Sequence, residues 1–117
     1  MFKQIKSIKQ DIKKKRKINS YERYEDFVVE QFKNDPAFLK LCLKKSFADY
    51  INNNDKTYFV GVLQKATKAH GITKIAKETG LSRQHIYDLC SEKSNPTLEN
   101  FGLVLKSFGL KMYIKSA

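Results

Sequence analysis

A chain of 117 residues with 41% hydrophobic and 12% aromatic side chains carries enough apolar surface for one modest core and little for a second, which argues against wholesale disorder and a multidomain plan. The formal net charge of +11 makes polyanions, nucleic acid first among them, the natural partners. No run approaches the roughly 18–20 continuous apolar residues of a membrane span, and the lysine-interrupted start lacks a secretory apolar run, so a soluble, cytoplasmic protein is expected, with no membrane partner.

The charge is unevenly spread. Residues 1–17 carry eight Lys/Arg against one Asp, residues 18–35 two against five, and residues 36–117 thirteen against six, for +7, −3 and +7. Residues 1–19 read as a basic N-terminal arm, helical or disordered. Phe2, Ile5, Ile8 and Ile12 recur on one helical face, but the run Lys13-Lys14-Lys15-Arg16-Lys17 repels itself and would fray any helix before Asn19. Such an arm can follow DNA phosphates, lie on an acidic membrane, or cover a protein partner as an amphipathic helix. A solvated arm that adds non-specific DNA affinity suits its charge pattern best.

Residues 20–117 read as one helical unit. After Ser20, a plausible cap, Tyr24, Phe27, Val28, Gln31 and Phe32 follow helical spacing and predict a helix over 21–33. Asp35 can accept from first-turn amides, and Pro36 fits a first helical position where no N–H is needed. Phe38, Leu39, Cys42, Leu43, Phe47 and Tyr50 then trace an apolar stripe over 36–51. Tyr21, Tyr24, Phe27, Phe32, Phe38 and Phe47 read as core rather than as a base-stacking platform, because they follow this periodicity.

The polar break Asn52-Asn53-Asn54-Asp55 precedes another helical run through Tyr58, Phe59, Val62, Leu63 and Ala66, closed at His70-Gly71. Short helices follow over 73–79 and 82–91, then a loop to Pro96 and a helix over 97–108 closed by Gly109. Leu110, Met112 and Ile114 alternate with Lys111, Tyr113 and Lys115 in the manner of a short C-terminal strand. With no partner strand evident in the chain, this strand would pair across a dimer.

Chemistry-bearing residues are sparse. Cys42 and Cys90 sit 48 residues apart among apolar neighbours, at no zinc-ligand spacing, and read as reduced core thiols. His70 lies beside a helix-ending glycine, and neither histidine has metal-ligand spacing to a cysteine. No paired acid and base stands out, so neither an enzyme nor a cofactor or metal site is expected.

The segment from Thr73 to Ser91 carries the functional signal. Ala76 is small where one short helix would approach the next, and Gly80 permits the positive φ of a tight turn between them. Leu81, Ile86 and Leu89, with Ile75 behind, form an apolar wedge. Ser82 can cap the second helix, which leaves Arg83, Gln84 and His85 on its first turn. This is the end that a helix-turn-helix presents to base edges in the major groove of double-stranded DNA. Gln84 matches adenine N6 and N7, and Arg83 matches guanine O6 and N7 or a phosphate. His85 is a weaker base reader, and Tyr87 suits a phosphate or a thymine methyl. Thr73 and Lys74, at the start of the preceding helix, are placed to grip the backbone. Two other readings remain: a stand-alone transcriptional regulator of the same fold, and a helical protein-interaction module without DNA binding.

The runs Ile75-Ala76-Lys77-Glu78-Thr79-Gly80-Leu81-Ser82-Arg83, Ile86-Tyr87, Ser91-Glu92-Lys93-Ser94-Asn95-Pro96-Thr97-Leu98 and Leu105-Lys106-Ser107-Phe108-Gly109-Leu110 resemble the addiction-module antidote proteins, HigA-like antitoxins of bacterial toxin–antitoxin pairs. The resemblance extends more weakly back to Asp35-Pro36. It implies an all-α, phage-repressor-like five-helix domain, here with an extra N-terminal helix or arm. It also implies a homodimer that represses its own operon by binding an operator and neutralises a RelE/HigB-type toxin. The motif places Ser82, Arg83, Gln84, His85 and Tyr87 at the DNA face, while the arm lies outside the family pattern.

Overall fold

In a computed structural model, residues 19–116 are described; the expectations for residues 1–18 lie outside that range. The described residues form six helices and no strand: α1 (Ser20–Asn34), α2 (Pro36–Asn53), α3 (Thr57–His70), α4 (Ile72–Thr79), α5 (Arg83–Leu89) and α6 (Leu98–Ser107).

The helix boundaries follow local chemistry. Asn19, rather than Ser20, caps α1: its side chain accepts from the Glu22 amide at 2.8 Å, and the Glu22 carboxylate accepts from the Asn19 amide at 3.2 Å. This reciprocal pair satisfies two amides that the helix leaves unpaired. One residue later, Ser20 is already helical. Asp35 caps α2 as its type predicts, accepting from the Phe38 amide at 3.0 Å with Pro36 at the helix start. Thr97 does the same for α6 through the Asn100 amide at 3.1 Å.

The centre of the molecule is α3. One side meets α1 and α2 through Phe32, Leu39, Leu43 and Phe59, and the other meets the shorter helices through Leu63, Ala66, Ile75, Ile86, Leu89 and Val104. Phe47, Phe59 and Phe101 bring rings from α2, α3 and α6 to centroid separations of 5.4–5.8 Å, in the range where aromatic pairs add to simple burial. Both buried hydroxyls among the described residues meet a carbonyl of their own helix: Ser46 donates to Leu43 and Thr67 to Leu63. Both cysteines are free, Cys90 buried and Cys42 partly so.

Two expectations change. Of the aromatic set read as core, Phe32 is buried and Phe47 packs against the core, but Tyr21, Tyr24 and Phe27 are about 60% exposed and Phe38 37%. On α1 Phe32 is buried and Val28 partly so, while Tyr21, Tyr24 and Phe27 border an open groove beside them that no further element fills among the described residues. The C-terminal segment from Leu110 to Ile114 forms no strand. Leu110 packs against the core, whereas Tyr113 and Ile114 are exposed. Alternation alone does not make a strand: its N–H and C=O groups need a ladder, and the described residues offer no sheet edge.

Candidate nucleic-acid interface

Helices α4 and α5 are joined by the turn Gly80-Leu81-Ser82, and several local contacts define its shape. Gly80 takes the left-handed conformation, φ 78° and ψ 2°, while its amide donates to the Ala76 carbonyl. The Thr79 hydroxyl donates to the Ile75 carbonyl at 2.7 Å and accepts from the Leu81 amide at 3.2 Å, so one side chain ties the end of α4 to the turn. Ser82 then caps α5, accepting from the His85 amide at 3.0 Å.

The apolar wedge read from the sequence lies underneath. Ile75 and Ile86 are fully buried and Leu89 nearly so, with Ala76 and Leu81 packed against the same cluster. Helix α3 holds the far end of α5: Gln64 donates to the Cys90 carbonyl at 2.8 Å, and the Thr67 hydroxyl lies 3.5 Å from the Cys90 sulfur. Burial pushes the Cys90 thiol above its ordinary pKa, partly offset by that hydroxyl, so it stays protonated at neutral pH. Lys56 donates to the Ser94 carbonyl at 3.1 Å and pins the loop between α5 and α6. His70 and Glu78 meet at 3.0 Å and join the ends of α3 and α4. A seven-residue helix has little stability of its own, so these contacts set where α5 points.

All seven residues singled out from the sequence, Thr73, Lys74, Ser82, Arg83, Gln84, His85 and Tyr87, are exposed. Arg83 and Gln84 lie on the first turn of α5 with Ser82 before them, and Tyr87 follows one turn later at 57% exposure. Thr73 and Lys74 lie in the first turn of α4, where no side chain caps the helix amides.

Two contacts modify the individual roles. The Gln84 side-chain nitrogen donates to the Asp88 carboxylate at 2.9 Å, one turn along the same helix. A primary amide has two N–H donors and a carbonyl, so this bond leaves one donor and the acceptor available. His85 Nε2 lies 3.2 Å from the Asn100 amide nitrogen on α6. An amide nitrogen can only donate, so His85 Nε2 is the acceptor in this contact. Asn100 thus belongs with these residues, yet nothing in the sequence marks it, because the contact joins positions 15 residues apart in different helices. Among the described residues no cluster of His, Cys, Asp or Glu has the makings of a metal site, and no helix is long and apolar enough to cross a membrane.

No curated protein and no solved structure matches the chain. The model of the family described as probable addiction module antidote protein matches residues 40–116. That span takes in most of α2 and all of α3 to α6, including the capped turn between α4 and α5. With about two thirds of its length matched, the chain belongs to this family of addiction-module antidote proteins.

Proposed function

We propose that the chain is an antitoxin that also binds double-stranded DNA, with α4 and α5 acting as a helix-turn-helix. The observation that carries the reading is the first turn of α5: it is capped by Ser82, backed by a buried wedge, and presents Arg83 and Gln84 to solvent. That is the arrangement a recognition helix needs in the major groove. Arg83 reads guanine or clamps a phosphate. Gln84, steadied by Asp88, uses its remaining N–H and carbonyl on adenine. Thr73 and Lys74 hold the backbone, Tyr87 meets a phosphate or a thymine methyl, and His85 braces α5 against Asn100 rather than reading a base.

On this reading residues 20–117 are the DNA-binding domain, with the motif at 73–91. The protein acts in the cytoplasm as a homodimer on a palindromic operator, its recognition helices about 34 Å apart, one turn of DNA. It represses its own operon and neutralises a small RelE/HigB-type toxin encoded beside it. The test is titration of the full chain with the duplex upstream of its gene and with a scrambled duplex, each at low and moderate salt. Tighter binding to the upstream duplex, falling steeply with salt, is expected. No duplex binding at low salt would leave a helical protein-interaction module as the better reading.

A further inference from the structure

The segment after α6 forms no strand within one chain, yet it has the parts of one. The Leu110 amide donates to the Leu105 carbonyl at 2.9 Å, and beyond it no backbone N–H or C=O from Lys111 to Ser116 has a partner among the described residues. Such a row of open groups is a template for pairing with another chain. The two sides of the segment also differ. Leu110 packs against the core, and Met112 lies against α6, where a Cβ added to Gly102 would meet its Cε at 3.6 Å. Ile114, next on that side by alternation, is fully exposed, and Tyr113 on the other side is 78% exposed.

A second copy of the same segment supplies the missing ladder, and the residues select one antiparallel register. Centred on Met112, that residue faces its own counterpart, Leu110 faces Ile114, and Lys111 faces Tyr113. One side of the ladder is then wholly apolar, and each Lys111 ammonium lies beside a tyrosine ring. Centring on Lys111 sets that lysine against itself, and centring on Tyr113 sets Lys111 against Lys115; like charges directly opposite are unfavourable. Registers shifted by a single residue set apolar side chains opposite polar ones and break up the apolar side.

The body of the molecule has room for this arrangement. Gly102, Lys106, Gly109, Leu110, Lys111 and Met112 line an open groove of ≈ 550 Å³ beside the segment. In the Met112-centred register, Ile114 of the partner subunit comes opposite Leu110, at this groove. Gly102 presents no side chain there, and Lys106 offers its methylene stem. The two-fold axis repeats the contact, as a self-complementary interface requires. None of the seven residues assigned to DNA lines the groove.

We propose that this C-terminal segment joins the homodimer: residues 110–114 of two copies pair antiparallel about Met112, and each Ile114 fills the groove of Gly102, Leu110 and Met112 in the other. The proposal rests on the reading of the chain as a homodimer and assigns its interface.

The experiment uses the full chain without DNA, with self-association read by sedimentation over a range of concentrations and helix content checked by circular dichroism. Ile114→Asp alters an exposed side chain and should weaken the dimer at least tenfold. Gly102→Leu should do the same by filling the groove, although it puts a better helix former inside α6. Cross-linking in a Cys42→Ser background, with Cys90 buried, reads the register. Met112→Cys should form a disulfide between copies on oxidation, since directly opposite residues lie roughly 4.5–5.5 Å apart between Cα atoms. Lys111→Cys and Tyr113→Cys should link to each other, when mixed, at least tenfold faster than either links to itself.

Full-strength association in both Ile114→Asp and Gly102→Leu would overturn the proposal and leave the homodimer standing on another surface. Faster self-linking by Tyr113→Cys than by Met112→Cys would overturn the register and the groove assignment with it. If the parent chain stays monomeric at every concentration, the homodimer reading fails and the proposal with it, whatever DNA binding shows.

Discussion

His85 Nε2 accepts a hydrogen bond from the Asn100 side-chain amide at 3.2 Å, which ties the first turn of α5 to the first turn of α6. The bond is exposed, so its worth lies at the low end for a neutral pair. Asn100→Ala should lower stability by about 0.5–1 kcal/mol, seen as a shifted urea midpoint at unchanged slope. If His85 braces α5 instead of reading a base, His85→Ala should cost the same amount and leave operator preference unaltered. A change in the preferred base with His85→Ala would return that residue to the readers.

Gly80 isolates a backbone effect. A Cβ added there meets nothing within 4 Å, so substitution meets strain at φ 78° and no clash. Gly80→Ala should therefore cost about 1–2 kcal/mol, and Gly80→Asn less, because asparagine tolerates the left-handed region better. Equal losses for both in chemical denaturation would mean that something other than φ governs the turn.

The thiols should separate by accessibility. Burial raises the pKa of both above the ordinary 9.0, with Lys45 lowering Cys42 slightly and Thr67 lowering Cys90. A thiol-specific reagent at neutral pH should label partly buried Cys42 first and reach Cys90 only on unfolding. Since the folded state holds these protons more tightly, stability should fall as pH rises from the ordinary thiol range through the raised values. Cys90→Ala should remove most of that alkaline loss, leaving a flatter profile of unfolding free energy against pH.

How much of this could be read from the chain depended on whether the signal was local. Asp35-Pro36, Gly80 and Ser82 declare their roles through cap and turn chemistry within three residues, and each acts as its type predicts. Ile75, Ile86 and Leu89 were legible because a short amphipathic helix has one way to bury its stripe. Tyr21, Tyr24 and Phe27 were misread as core. Periodicity reports which residues share a face, and only the tertiary neighbours decide whether that face is covered. Leu110, Met112 and Ile114 failed for a related reason, as alternation cannot supply the strand across the ladder. Asn100 was invisible because its contact with His85 crosses two helices.

The central claim, that the first turn of α5 reads base sequence while the start of α4 holds the backbone, is tested most directly by one set of affinities. The full chain and its Arg83→Ala, Gln84→Ala and Lys74→Ala variants are titrated with the operator, single-base variants of it, and a scrambled duplex. Arg83→Ala and Gln84→Ala should each relax preference at one base position per half-site, worth about 1–3 kcal/mol there. Lys74→Ala should weaken every duplex alike and reduce the salt dependence. Equal losses on operator and scrambled DNA for all three variants would contradict the account.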